Sequence, residues 1–462
     1  MNQATKNNFV FILGREQEIA LAELKAVLVR FGFYFPARPA GGDIYKITGN
    51  QVFANIDNFT VNDAVKVMDA LAGTIKIYKL EGPIEKDIAS QISSIFRSHK
   101  VNGEGKINFA ISYFGRGFSR QNINSIALTA KKQLKSDFSL RYVESRDSSE
   151  LSSILTLKNN LATKGIEFGL FDNEIGILVA LNNPEEWSKR DYDKPASDKF
   201  SGMLPPKLAR MMINLALGCH PELACHGDMP VVSGSHNEKM LKQVQHDNGC
   251  LVLDPFCGSG NVLMEAMMLG CDAVGSDISE KAVEDTKVNI EWLKNQNTDN
   301  RIQISVFQAD AMSEEYIKKL TTDNCELITG YKNLVFVTEP YLGEPKKFKP
   351  TYNAAAGEYL KIKELYINFL KNVKNVILNV SEESKNNALL DPSAVPQDDK
   401  DVILCIVFPL VETTEGKRFS LFGLSVDEIR ELGYTQVRPS MIYGRDYQVV
   451  KREIVLLKSE QI

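Results

Sequence analysis

The residues best placed to do chemistry lie in CLVLDPFCGSGNVLMEAMMLG, from Cys250 to Gly270. Leu251 to Leu253 form an apolar run suited to a buried strand, and Asp254 stands at its carboxyl end. Gly258 and Gly260 then make a tight turn, and NVLMEAMMLG begins a helix. Glycines in such a turn let the backbone approach a ligand closely and adopt angles that a Cβ would hinder. The amides of the turn and helix start favour anionic groups, and Asp254 supplies acceptors for water or a ligand amine.

Two further acids follow at regular places. CDAVGSDIS reads as a second strand ending at Asp277, 23 residues after Asp254. An acid there can hydrogen-bond ribose hydroxyls. EKAVEDTKVNIEWL reads as a helix and ISVFQAD as a third strand, with Asp310 at its end, where an adenine amino group would lie. With Phe256, Ile278 and Ala311 beside them, these acids and glycines form the candidate nucleoside-binding set, in a crevice at the switch point of a parallel sheet. The dinucleotide fingerprint G-x-G-x-x-G is absent, because Gly258-Ser259-Gly260 is followed by Val262 and Leu263. A plainer reading makes the acids mere caps of strands and helices, but three correctly spaced signals coincide.

The elements that position this set divide the chain. Its 462 residues exceed one core, which usually stops growing near ~250–300 residues. From the N-terminus, strand and helix patterns run β-α-β-β-α-β to about Glu81, the order of a ferredoxin-like unit, so residues 1–83 form a first module. Residues 84–183 form a second α/β module: two helices around KINFAISYFG, then β-rich runs in LRYVES, SSILTLKN, GIEFGLFDN and EIGILVAL. The stretch 184–205, polar, charged and proline-containing, has linker chemistry. From residue 206 to 462 strands alternate with helices, which predicts a largely parallel sheet covered on both faces and makes the chain an α/β protein.

Within that last part, residues 219–248 hold four of the five histidines and no sustained period, and read as an insertion in a surface loop. The segment resembles peptides inserted into unrelated bacterial proteins by translated mobile repeats. CHPELACH invites a zinc reading, but adjacent Cys-His pairs are poor ligand spacing, so no metal is assigned. The seven cysteines, odd in number and absent before Cys219, do not suit a disulfide framework, and reduced thiols are expected. With 44% hydrophobic and 24% charged residues, no apolar run of ~18 residues and charge early in MNQATKNNFVFILGREQE, a cytoplasmic protein is expected. A net charge of −5 gives no global attraction to nucleic acid, so RNA contacts would rest on local patches. YFGRGFSRQNI (Tyr113 to Ile123), Lys131-Lys132 and KKFKP (Lys346, Lys347, Lys349) are the candidates, each against the reading of ordinary solvated surface.

DPFCGSG, GSDIS and QAD resemble class I methyltransferases, specifically THUMP-domain-containing RNA guanine-N2 methyltransferases of the tRNA guanine-10 type. The resemblance implies a Rossmann-like C-terminal domain, S-adenosyl-L-methionine as cofactor and tRNA as partner, the modules up to Asn183 matching a ferredoxin-like plus THUMP-like RNA-binding pair. It also implies that SGMLPPKLARMMINLAL is the helix packing near the methionine end of the cofactor. The family's fourth motif, an Asp or Asn followed by Pro-Pro-Tyr or Pro-Pro-Phe, corresponds here to Thr338-Glu339-Pro340-Tyr341 in LVFVTEPYLGEP. Pro340 and Tyr341 match, Glu339 replaces the first proline, and Thr338 falls where the acid is expected. Methyl transfer to an exocyclic amine needs an acceptor for the amino protons and an aromatic face for the extruded base. Glu339 could supply the first and Tyr341 the second; alternatively Thr338 positions the amine. A non-catalytic module binding cofactor or RNA, and a methyltransferase with a non-RNA substrate, remain the rival classes, and a small activating protein partner stays open. Arg445 and Tyr447, in MIYGRDYQVVKREIVLLK, read as residues of a closing antiparallel hairpin.

Overall fold

Runs such as CLVLD and ILCIVFPLVE carry no polar alternation because their strands are buried on both faces. The computed structural model describes residues 6–33, 45–99, 105–145, 148–197, 203–219, 249–296, 302–323, 331, 333–390 and 402–459. The chain divides into two compact units, Met1–Leu24 with Gly32–Lys189, and Lys25–Phe31 with Arg190–Ile462.

The first unit contains β1 (Lys6–Leu13), α1 (Gln17–Arg30, whose last residues belong to the other unit), β2 (Tyr45–Thr48), β3 (Gln51–Asp57), α2 (Val61–Ala70) and β4 (Thr74–Pro83). It continues with α3 (Ile88–Ser98), β5 (Ile107–Tyr113), α4 (Arg120–Gln133), β6 (Leu140–Val143), α5 (Ser153–Lys158), β7 (Ile166–Leu170), β8 (Glu174–Leu181) and α6 (Pro184–Ser188). All eight strands share one sheet in the order β2-β3-β1-β4-β8-β7-β5-β6. Residues 1–83 and 84–183 are therefore continuous through one seam, the antiparallel pairing of β4 with β8 from Lys76↔Leu181 to Pro83↔Glu174.

A buried charge network ties this sheet together. Glu167 on β7 accepts hydrogen bonds from Lys76 at 2.6 Å and from Tyr78, Ser112 and Thr156 at 2.7 Å each. Lys76 and Glu167 have side chains with no exposure, and the Lys76 ammonium also donates to the Leu151 carbonyl at 2.7 Å. Such a pair is tolerated in a core only because its remaining donors and acceptors are met. Burial first, and the Glu167 charge second, push the Tyr78 hydroxyl well above its ordinary pKa.

Two sequence expectations fail here. SSILTLKN is not β-rich: Ser153–Lys158 is α5, capped by the Ser152 hydroxyl, which accepts from the Leu155 amide. Residues 184–205 are not an open linker at their start, since α6 runs straight into a short π-helix, Lys189–Asp193. Charge misled the reading because Arg190 and Lys194 are buried on partners and not solvated.

The second unit contains α7 (Pro206–Gly218), β9 (Cys250–Asp254), α8 (Asn261–Met268), β10 (Asp272–Asp277), α9 (Glu280–Lys294), β11 (Ile304–Gln308) and α10 (Glu314–Lys318). β12 (Asn333–Thr338), α11 (Tyr352–Leu390), β13 (Ile403–Glu412), β14 (Arg418–Ser420), α12 (Leu421–Glu431), β15 (Tyr434–Gln436), β16 (Met441–Tyr443) and β17 (Val450–Ser459) complete it. Its sheet has the order β11-β10-β9-β12-β13-β17-β15, with β14 paired to β13 and β16 to β17. The first five strands are parallel, and β17 enters antiparallel to β13. This is a Rossmann-like, mostly parallel sheet, and the order reverses between β9 and β12, where an open α/β sheet places its ligand crevice. On one face, Tyr359, Tyr366 and Leu370 of α11 and Ile429 of α12 pack with Leu251, Leu253, Phe336 and Leu404 of the strands.

The expectation of reduced thiols is corrected at one place: Cys250 and Cys271 form a disulfide, with Cα atoms 5.1 Å apart. Cys250 opens β9 and Cys271 immediately precedes its parallel neighbour β10, where Asp272 is in register with Leu251, so strand pairing brings them together across 21 residues. Among the described residues no helix is long and apolar enough to cross a membrane, and no group of three or more His, Cys, Asp and Glu is placed to hold a metal ion. The insertion read at 219–248, with its zinc alternative, lies outside the described residues apart from Cys219.

Candidate active site

The glycine turn owes its shape to two left-handed residues, Gly258 (φ 53°) and Gly260 (φ 81°). A Cβ on Gly260 would meet Thr286 Cγ2 at 2.8 Å, so the helix start and α9 could not approach as they do. Thr286 donates to the Gly258 carbonyl at 2.8 Å, and the Gly258 amide donates to Asp277 Oδ2 at 3.0 Å. Asp277 Oδ1 accepts from the Ser279 amide at 2.9 Å, so the acid at the tip of β10 is fixed while facing the turn.

A cleft of about 700 Å³ opens over these strand ends. Of the residues expected to bind a nucleoside, Asp254, Phe256, Gly258 and Asp277 line it; of those expected to be catalytic, Glu339, Pro340 and Tyr341 do. Gly260, Ile278, Asp310 and Ala311 do not line it. Ile278 is exposed, Ala311 is buried, and Asp310 Oδ1 accepts from the Met312 amide at 3.0 Å. The third acid therefore stands just past β11, outside the cleft wall.

Thr338 also falls behind the wall. It is fully buried at the end of β12, and its hydroxyl donates to Asp254 Oδ1 at 2.6 Å. Thr338, the alternative for positioning an amine, thus has its hydroxyl proton committed to Asp254. Burial raises the Asp254 carboxyl to about 7, against the lowering effect of the Thr338 hydroxyl and the Phe256 amide, with the charges of Asp277 and Glu339 adding to the rise.

Glu339 takes the place facing the cleft, and its partner comes from a distant strand that local pattern does not point to. Arg452 on β17 grips it from two nitrogens, Nε to Oε2 at 2.5 Å and Nη2 to Oε1 at 3.0 Å. Arg452 Nη2 also reaches the Met203 carbonyl at 3.4 Å. Burial raises the Glu339 carboxyl above its usual range, and Arg452 pulls it back. Beside it, Tyr341 is half-exposed, its hydroxyl donating to Glu344 at 2.9 Å, while its carbonyl accepts from the buried Tyr366 hydroxyl at 3.3 Å.

Lys194 is a second residue that pattern reading missed. It is buried, and its ammonium donates to Ser259 Oγ at 3.0 Å and to Asn261 Oδ1, both on the glycine turn and both lining the cleft. Asn261 Nδ2 donates in turn to the Leu204 carbonyl at 2.6 Å. Burial lowers Lys194 to about 8, despite the opposing charges of Asp191 and Glu265. Glu265 itself bridges Arg190 and Arg210, each at 2.6 Å. The polar stretch after α6 is thus a strap across the turn, and the clue in the sequence was a lysine among residues otherwise suited to solvent.

The candidate RNA-binding patches fare unevenly. Tyr113 and Phe118 pack against each other on the first unit's core, and Arg120 is paired with Glu144 at 2.8 Å. Lys346 is paired with Glu358, and Lys349 with Glu412 at 2.9 Å, so neither is an uncommitted phosphate ligand.

A family model described as DNA methylase matches residues 177–288. The chain is 25% identical over 232 residues to a tRNA (guanine(10)-N2)-dimethyltransferase of Methanocaldococcus jannaschii, covering 47% of this chain and 53% of that protein. It is 33% identical over 92 residues to the enzyme of the same name from Methanothermobacter thermautotrophicus, covering 20% and 19%. The chain thus spans about half the length, or less, of these curated relatives. Among solved structures, TrmN from Thermus thermophilus aligns with 98% of this chain and all of its own at 11% identity and a TM-score of 0.40. These sequence matches are thus to methyltransferases, and none spans the whole of this chain.

Proposed function

We propose that this chain transfers a methyl group from S-adenosyl-L-methionine to the N2 amine of a guanine in tRNA. The observation that carries the reading is that an Arg-gripped carboxylate, Glu339, and a half-exposed aromatic ring, Tyr341, share one cleft with the glycine turn and Asp277. The residues present fit the cofactor. Gly258 leaves open space where a Cβ would stand, Asp277 offers its carboxylate at the tip of β10, and Asp254, Phe256, Ser259 and Asn261 complete the wall. Asp310 and Ile278 would serve the adenine from beyond that wall. When bound, the cofactor supplies an electrophilic methyl group on a sulfonium.

The protein's part is positioning. Tyr341 holds the face of a base, and Glu339 Oε accepts an N–H of its exocyclic amine, turning the nitrogen lone pair toward the methyl donor. Glu339 then receives the proton that the alkylated nitrogen sheds. Arg452 holds both carboxylate oxygens and opposes the rise that burial imposes on the Glu339 pKa, which suits an acceptor for an amine that becomes cationic only during transfer. The match to a DNA methylase model supports the same amine chemistry on a base of DNA as the second reading.

The test is to incubate the protein and its Glu339→Ala variant with radiolabelled S-adenosyl-L-methionine and undermodified tRNA or DNA, with and without cell extract to reveal any small protein activator. Label in N2-methylguanosine that is lost in the variant supports the proposal. Label in DNA alone favours the second reading, and no label despite cofactor binding favours a binding module.

A further inference from the structure

Among the described residues the exposed large aromatic side chains are Tyr192, Tyr341, Phe348, Tyr352 and Tyr447, and all five fall in the second unit. Among the described residues of the first unit, where interleaved aromatic and basic residues suggested an RNA surface, the rings are buried or half-buried. Tyr447 is 72% exposed and lines the cleft, yet it comes from the connection between β16 and β17 and not from the Glu339-Pro340-Tyr341 loop. Its ring is held in place. Arg445 Nη1 donates to the Tyr447 hydroxyl at 2.6 Å, with the guanidinium carbon 5.6 Å from the ring centroid. The connection is itself braced, the Arg445 amide donating to Gln448 Oε1 at 2.7 Å and the Gln448 amide to the Arg445 carbonyl at 2.9 Å. Tyr192, 75% exposed, lies within electrostatic reach of the same guanidinium.

A large apolar ring left in water on a braced loop, with a cation against it, matches what an unpaired nucleobase and its phosphate need: a face to stack on and a positive charge beside it. In a chain of net charge −5 that cation must be local. Tyr341 adjoins Glu339 and so serves the reacting base; Tyr447 reaches the cleft from a different connection and is left for a neighbour. We propose that Tyr447, braced by Arg445, is the stacking site for an unpaired RNA base flanking the one that enters the cleft. This rests on the reading of RNA as substrate.

The test is fluorescence anisotropy of the full chain with an end-labelled tRNA and with a short unstructured oligoribonucleotide, for wild type, Tyr447→Ala, Tyr447→Phe and Arg445→Ala, alongside calorimetry of S-adenosylhomocysteine binding. The expected result is a loss of RNA affinity of roughly ten- to a hundredfold in Tyr447→Ala, within about threefold of wild type in Tyr447→Phe, with a smaller loss in Arg445→Ala. Cofactor-product affinity should not move, since an exposed rim ring does not brace the glycine turn. RNA binding by Tyr447→Ala equal to wild type would overturn this proposal alone. No RNA binding by the wild type, with S-adenosylhomocysteine still bound, would overturn it together with the RNA reading.

Discussion

Glu339 and Arg452 stand 113 residues apart in sequence and meet as a two-point ion pair, 2.5 and 3.0 Å, on the wall of the cleft. The pair explains how a carboxylate one residue late in its motif could still serve. Thr338 is buried against Asp254, so the side chain that reaches the cleft from the end of β12 is the next one, and the arginine from β17 holds its carboxylate there.

Arg452→Met should therefore damage activity more than cofactor binding. Without the guanidinium, burial alone acts on Glu339, and its pKa rises further from a value that burial has already raised. The acidic limb of the rate–pH profile should move to higher pH, with kcat down at least tenfold and S-adenosylhomocysteine affinity within a few-fold of wild type. Arg452→Lys should restore part of the rate, keeping the charge but not the fork. An unmoved profile in Arg452→Met would show that Glu339 does not carry the acidic limb.

Asp254 provides a test on stability. Its folded pKa, about 7, lies above the ordinary carboxyl value of 3.8, so the folded state holds a proton that the unfolded chain has lost across that window. The contribution of the protonated group is complete below pH ~4 and is lost as pH rises through about 7. Asp254→Asn removes this slope. Between pH 5 and 8 the variant should gain stability relative to wild type, by at most ~4 kcal/mol at the upper end. Denaturant melts at several pH values check it; parallel curves would mean that Asp254 does not titrate there.

Much of this was legible in the sequence where the signal is local. The run Leu251 to Leu253, its terminal Asp254 and the glycines after it sit next to one another, and a parallel strand buried on both faces declares itself as an unbroken apolar run. What escaped depends on strand neighbours that sequence order does not reveal. Cys250 and Cys271 meet only because β9 and β10 are parallel partners in register, and Arg452 finds Glu339 only because β17 returns antiparallel beside β13. Lys194 was hidden for a different reason: composition equates charge with solvent, and here the charge is buried on Ser259 and Asn261.

That buried lysine should make cofactor affinity depend on pH from the alkaline side. Lys194 is lowered to about 8, so its ammonium, which holds Ser259 and Asn261, is lost as pH climbs from 7 to 9. S-adenosylhomocysteine affinity in the wild type should fall over that interval. Lys194→Met should bind weakly and without that dependence, and Lys194→Arg, charged throughout, should bind without it at near wild-type strength if the strap accommodates the longer head group. Calorimetry across the interval checks all three, and a wild-type affinity flat to pH 9 would remove Lys194 from this role.

The network around Glu167 makes the last prediction, on the first unit. Lys76→Met takes away the charge paired with a carboxylate that has no exposed surface, while Tyr78, Ser112 and Thr156 still donate to it. Breaking one side of a buried ion pair costs about 3–5 kcal/mol, because the remaining charge keeps its desolvation penalty without its partner. Replacing both, Lys76→Met with Glu167→Leu, should cost less than the two single changes added together, since no orphaned charge remains, although three hydroxyls lose their acceptor. Because both residues lie within one unit, the loss should appear in that unit's unfolding transition while S-adenosylhomocysteine binding by the second unit survives. Urea melts monitored together with cofactor-product binding separate the two; additive single and double changes would mean that Lys76 and Glu167 are held by packing and not by their charges.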